Sequence, residues 1–216
     1  MTDDILVLGA GGHAKVVIEL LRAGGQVVGG LIDADPTPRQ VLGVPVIGDD
    51  QRLEALREGG YQFAFVALGD NLLRRRMGRH VQALGYQLVN AISPAAVLSP
   101  SAGLGVGIAV MAGVVINAEA RIEDLAIVNT GARIDHDCVL GEACHVAPGG
   151  VLAGEVHIGP LAFLGAGCSV IPRVRVGASA VVGAGACVTA DIPSHTLALG
   201  VPARVARARP APEASS

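Results

Sequence analysis

From Leu104 onward the sequence repeats itself every six residues, and no other feature restricts the fold as tightly. Counting in sixes from Leu104 gives Val110, Ile116, Ile122, Val128, Ile134, Leu140, Val146, Leu152, Ile158, Leu164, Val170, Val176, Val182 and Val188, all aliphatic. Four places after each stands another apolar or small residue, in a series running from Ile108 through Ala120, Cys138, Gly150 and Cys168 to Ile192. A helix has a period near 3.6 and a strand a period of 2, so neither produces this spacing. Six is the period of a parallel β-helix, in which each unit forms one wall and three walls complete a coil. The fifteen units make five coils. At about 4.8 Å per coil the prism is on the order of 25 Å long. Composition fits such thin, regular walls: 51% of the chain is hydrophobic, only 2% is aromatic and Trp is absent, so the core is built of Val, Ile, Leu, Ala and Gly.

The phase of the repeat sorts the reactive side chains. Cys138, Cys144 and Cys168 occupy the small inward slot and are expected to be structural; Cys187 falls one place later and is read the same way. No C-x-x-C pair is present, as suits reduced thiols. His136 lies two places after Ile134 and His145 five places after Leu140, so both point out of the prism. An outward histidine is ordinarily plain surface. Asp135 and Asp137, however, flank His136 with the carboxylates that fix and activate a general base. His157 lacks such neighbours and His195 lies past the last full coil, so neither is assigned a role.

The first 92 residues follow another rule. Ile5 to Leu8 reads as a strand, "GAGGHA" as a turn and "KVVIELLRAGG" as a helix closed by Gly24 and Gly25. "VVGGLID" and "YQFAFVALGD" are further strands, "VLGVPVIGDD" a loop or short strand, "QRLEALREGG" and "NLLRRRMGRHVQALG" helices and "YQLVNAI" extended. Such alternation implies a parallel sheet. The turn Gly9-Ala10-Gly11-Gly12-His13-Ala14 matches G-x-G-x-x-G/A, and Asp33 follows about twenty residues later, the distance of the ribose-binding acid in dinucleotide folds. Any tight strand-to-helix turn can also look like this. The segment is half the size of a dinucleotide-binding fold, which suits a mononucleotide diphosphate better. His13 and Asn71 fall at strand carboxyl ends, where open α/β sheets bind ligands; taken singly, each reads first as a cap or loop hydrogen bond.

The formal charge of −3, with a pI near 6.0, provides no field for nucleic acid, and "RRR" at Arg74 to Arg76 is too short to supply one. No apolar run reaches the roughly 18 residues of a membrane span, and "MTDDILVLGAGG" lacks the basic start of a signal peptide. A cytoplasmic protein without membrane contact is expected. The expected architecture is α/β + β: a Rossmann-like domain at 1–92, a β-helix at 93–203 and a tail at 204–216, with "RPAPEASS" disordered.

"GAGGHAKVV", "NTGARIDHDCVLGEACHVAPGGVLAG" and "LALGVPAR" together resemble the NeuD-like sugar acetyltransferases, over residues 3 to about 207. Within that family the likeness is greatest to enzymes that N-acetylate nucleotide-linked 4-amino-4,6-dideoxy sugars. The resemblance implies a left-handed β-helix, a homotrimer, acetyl-CoA as co-substrate in the cleft between neighbouring β-helices, and no metal. It implies a GDP-linked perosamine as the favoured substrate, a UDP-linked sugar as the alternative, and a place in surface polysaccharide synthesis such as that of O-antigen. By the same resemblance His136 is the base, Asp137 orients it, and Gly154 offers its N–H to the thioester oxygen. His145, Ala166 and Ala184 contact acetyl-CoA, while Gly11, Gly12, His13, Ala14, Asp33 and Asn71 hold the nucleotide. Asp137 stands where several relatives carry Glu. Competing readings are a sialic acid O-acetyltransferase, a zinc-dependent carbonic anhydrase on the same fold, for which His136, His145 and His157 offer no clear tripod, and a non-catalytic nucleotide-sugar-binding module.

Overall fold

The computed structural model describes residues 2–210 of the chain, which divides into two compact units, Met1–Pro94 and Ala95–Ser216. Among the described residues no helix is long and apolar enough to cross a membrane.

The first unit contains β1 (Thr2–Leu8), α1 (Gly12–Ala23), β2 (Val28–Ile32), β3 (Gln40–Val41), β4 (Val44–Gly48), α2 (Leu53–Glu58), β5 (Tyr61–Val66), α3 (Asn71–Ala83) and β6 (Gln87–Leu88). Its sheet has the order β3-β4-β2-β1-β5-β6. All neighbours are parallel except β3 and β4. That stretch, expected as a loop or single short strand, is a hairpin. Leu42 and Gly43, with φ of 51° and 78°, form the two-residue turn with both φ positive that matches the twist of a β-ribbon. β1 is buried along Ile5–Leu8, and α1 buries Ala14, Val17, Ile18 and Leu21 at helical spacing. Connections run to one side of β1 through β2 and to the other through β5. The loops at the carboxyl ends of β1 and β5 therefore flank a topological switch point, where open α/β sheets bind ligands.

The second unit is a left-handed parallel β-helix. Two-residue strands recur every six residues from Val97–Leu98 to Cys187–Val188. The first wall stacks strands beginning at Ala109, Ile127, His145, Phe163 and Val181, and the second those at Val97, Val115, Arg133, Val151, Ser169 and Cys187. The third stacks those at Gly103, Arg121, Val139, His157 and Arg175. Vertical partners among these strands are eighteen residues apart, as in Ile127↔His145 and Arg133↔Val151. The inward series from Val110 to Val188 is buried throughout, as is the small series from Ile108 to Ile192. Only Leu104, at the open end, is partly exposed.

The corners explain the period. From Gly107 to Ser179 every sixth residue has φ between 54° and 72°, the left-handed conformation that turns one wall into the next. The corner between the first and second walls meets this demand with Gly113, Gly131, Gly149, Gly167 and Gly185. The corner between the second and third uses Glu119, Asp137, Glu155 and Arg173 instead. After the last coil Thr196–Leu199 extends the first wall, and Arg204–Ala208 turns back antiparallel to it. The sequence reading set residues from 204 apart as a tail, but this strand closes the sheet; most of the stretch expected to be disordered lies outside the described residues.

Candidate active site

His136 and Asp137 occupy the corner between the second and third walls. The backbone of Asp137 is left-handed, with φ of 58°, and its N–H donates to the Ala118 carbonyl of the preceding coil at 3.0 Å. This conformation carries its carboxylate back toward the preceding residue. His136 Nδ1 and Asp137 Oδ2 are 2.8 Å apart, so the shorter reach of Asp suffices for the pair. A carboxylate only accepts, hence Nδ1 carries the proton and Nε2 keeps its lone pair. Both side chains remain accessible, at 53% and 55%. The hydrogen bond to Asp137 raises the His136 pKa above its ordinary value, with further support from the charges of Asp135, Asp137 and Glu155.

The second flanking acid acts differently. Asp135 Oδ1 accepts the His136 backbone N–H at 2.8 Å and the Asn117 side-chain amide at 2.9 Å. It braces the backbone that carries the histidine and does not touch the imidazole through these bonds. Glu155, eighteen residues beyond Asp137, is bonded by Arg173 Nε at 3.0 Å.

Gly154 stands one coil beyond His136 at the same corner, and the two fit closely. A Cβ on Gly154 would lie 2.5 Å from His136 Nε2 and 2.6 Å from Cε1, so no larger residue can sit there without moving the imidazole. The column reads Pro100, Ala118, His136, Gly154, Pro172. The prolines have no N–H, and that of His136 is taken by Asp135. Among the described residues the N–H of Gly154 donates to no protein acceptor.

His145 opens a strand of the first wall. The Asn129 amide donates to its Nε2 at 3.1 Å, which places the ring proton on Nδ1, and Phe163 of the next coil meets the ring edge-on at 5.1 Å. Ala166 and Ala184 precede Gly167 and Gly185 at the corner where the first wall ends. Within one chain, therefore, His136 and Gly154 share a corner, whereas His145, Ala166 and Ala184 belong to the first wall and its far corner. The third wall separates His136 from His145. His157 points out of that third wall, and among the described residues no group of three or more His, Cys, Asp or Glu is arranged to hold a metal ion.

In the first unit the glycine turn is tight on one side and open on the other. Gly9, with φ of 106°, packs so closely on the Ala67 carbonyl that a Cβ would lie 2.9 Å from its oxygen. A Cβ on Gly11 or Gly12 would meet nothing within 4 Å. Gly11 caps α1 without a side chain, and the first turn holds no acid. α3, in contrast, has the Asp70 side chain accepting from Leu73 N. Among the described residues no side chain caps the first-turn N–H groups of α1, the arrangement by which helix N-termini can hold anions. Asp33 reaches the turn as the spacing implied, with both carboxylate oxygens engaged. Oδ2 accepts Ala10 N–H at 2.7 Å, while Oδ1 takes Asp35 N–H at 3.1 Å and the Arg39 guanidinium at 3.0 Å. His13 is half-buried, and burial, aided by the charge of Arg74, lowers its pKa to about 4.

Sequence reasoning missed three residues here. Asn129 opens the stretch that carries both histidines, where an Asn before a Thr-Gly turn reads as a turn residue. Asn117 is tied to Asp135 by the eighteen-residue vertical step, a signal available once the period was known. Arg74 was hidden in a run of arginines that reads as surface.

Comparison with known proteins bears on both units. The family model described as PglD N-terminal domain matches residues 4–81. A crystal structure of PerB from Caulobacter crescentus in complex with CoA and GDP-perosamine is 56% identical and superposes with a TM-score of 0.92, covering 95% of this chain and 98% of that one. The acetyltransferase domain of PglB from Neisseria gonorrhoeae, in complex with acetyl coenzyme A, is 39% identical with a TM-score of 0.88, over 95% of this chain and 100% of that chain. Among curated proteins, the galactoside O-acetyltransferase of Lactococcus lactis is 51% identical over 45 residues, 21% of this chain and 22% of that protein. The chain spans less than half the length of the curated relatives it matches.

Proposed function

The chain belongs to the family of left-handed β-helix sugar acetyltransferases that includes the perosamine N-acetyltransferase of Caulobacter crescentus, and from that premise we propose that it acetylates the C4 amine of a nucleotide-linked 4-amino-4,6-dideoxyhexose with acetyl-CoA. The observation that carries this reading is the His136–Asp137 pair packed against Gly154, whose N–H donates to no protein acceptor among the described residues. The sugar amine attacks the thioester carbonyl carbon, a C–N bond forms and the C–S bond breaks. His136 Nε2 takes the amine proton, Asp137 holds Nδ1–H and steadies the resulting imidazolium, and the leaving thiolate is protonated to free coenzyme A. The Gly154 N–H donates to the oxygen on which negative charge develops, an interaction commonly worth about 3 kcal/mol.

His145, Ala166 and Ala184 line the path of acetyl-CoA, and Gly11, Gly12, His13, Ala14, Asp33 and Asn71 bind the nucleotide at the switch point of the first unit. The likeness to a protein crystallised with GDP-perosamine favours that substrate over a UDP-linked sugar. Because one chain holds His136 and His145 on either side of the third wall, a cleft using both is built between neighbouring chains of a homotrimer. The product serves surface polysaccharide synthesis in the cytoplasm, such as that of O-antigen for lipopolysaccharide.

The test is thiol release from acetyl-CoA by the purified protein, offered GDP-perosamine, a UDP-linked 4-amino sugar and sialic acid in turn. Release with the GDP-linked amine, and an N-acetylated product by mass, is expected. Acetylation of sialic acid alone would replace the reading with O-acetylation, and no release with any acceptor would leave a binding module.

A further inference from the structure

We propose that Arg74 is a positioning residue of the nucleotide pocket: its buried guanidinium locks the loop after β5 and fixes the orientation of the Asn71 side chain at the switch point. This deepens, and rests on, the reading that the first unit holds a nucleotide diphosphate.

Arg74 is the largest fully buried side chain in the chain's described part, with only 1% of its surface exposed, although its sequence neighbour Arg76 lies at the surface. Burying a guanidinium is costly unless its donors are satisfied. Here Nη1 donates to the carbonyls of Leu68 at 2.9 Å and Gly69 at 3.3 Å, and Nη2 donates to Asn71 Oδ1 at 2.8 Å. Those acceptors all belong to the segment that leaves β5. The facing turn packs on the same segment, because Gly9 lies against Ala67 and Leu68. One planar fork therefore fixes the loop on which the glycine turn packs.

Two consequences follow for recognition. Turning the Asn71 amide over would set its NH2 against guanidinium donors, so Arg74 fixes which way the amide faces. The first-turn N–H groups of α1, held opposite that loop, are donors and select a ligand rich in acceptor oxygens, as a diphosphate is. The guanidinium charge also helps keep the neighbouring His13 neutral.

The test uses the full-length enzyme and four measurements: affinity for GDP and for UDP by calorimetry, KM for the sugar nucleotide, KM for acetyl-CoA, and kcat. Arg74→Met should weaken GDP binding and raise the sugar-nucleotide KM by about tenfold or more, with kcat and the acetyl-CoA KM within about threefold of the parent. Arg74→Lys keeps the charge but not the fork, and should recover only part of the loss. In a cycle with Asn71→Ala the two substitutions should be far from additive, because one acts through the other. Unchanged GDP affinity in either folded variant, or equal loss of GDP and acetyl-CoA affinity, would overturn the proposal and leave Arg74 with a purely structural role. Should Arg74→Met not fold, Arg74→Lys decides by the same criteria. A parent enzyme that binds neither GDP nor UDP would instead defeat the nucleotide reading on which the proposal rests.

Discussion

Gly154 owes its identity to what lies above it. Its backbone does not need the freedom of glycine, yet any side chain would strike the His136 ring. Gly154→Ala should therefore leave the melting temperature almost unchanged, since the exposed imidazole can swing aside, while kcat falls at least about tenfold. His136→Ala should cost about a hundredfold or more. If Gly154→Ala acts by displacing the imidazole, the double variant should be no slower than His136→Ala alone; additive losses would separate the two residues. The hydrogen bond to Asp137 makes a second expectation. His136 titrates above its ordinary value, so the neutral, proton-accepting form grows as pH rises through that raised pKa, and kcat/KM should climb with it. Asp137→Asn keeps an acceptor but removes the charge, and should move this acid limb to lower pH. A limb that stays in place would assign it to the substrate amine instead.

At the scale of the element, the six-residue phase made the wall legible before any coordinates. Ile134 inside, His136 outside and Cys138 inside follow from counting, and the burial of each agrees. The rotation of side chains about a corner was less legible. Asp135 and Asp137 look equivalent beside His136, yet the left-handed backbone at Asp137 turns one carboxylate to the ring while Asp135 is drawn to the main chain. In the first unit, strand–turn–helix punctuation gave the sheet, but not the occupation of Asp33 by Ala10 and Arg39, nor the burial of Arg74; those depend on tertiary packing. The cysteines offer a direct check of the phase. Burial pushes the Cys138 and Cys168 thiols up to about 11, and Cys144 is wholly enclosed, whereas Cys187 is half-buried. Iodoacetamide should label at most Cys187 in the native protein and all four only after unfolding. Native labelling of Cys138 or Cys168 would contradict the inward assignment.

For the molecule as a whole, the separation of His136 from His145 ties the proposed site to the proposed trimer. Chains carrying His136→Ala and chains carrying His145→Ala should each be nearly inactive, but co-assembled from an equal mixture they should regain about a quarter of the parental rate, because one site in four then receives both intact histidines. No recovery, with mixed trimers verified by mass, would place both groups in one chain. The end of the prism carries a consequence of its own. Stacked rungs whose last edge is bare invite the rungs of another copy, and a repeat of this kind has no intrinsic reason to stop. By reversing the chain's direction at Arg204–Ala208 and placing Arg204 and Arg207 along that rim, the terminal hairpin makes the repeat finite. Resistance to filament growth thus falls to a short segment remote in sequence from every residue assigned to catalysis.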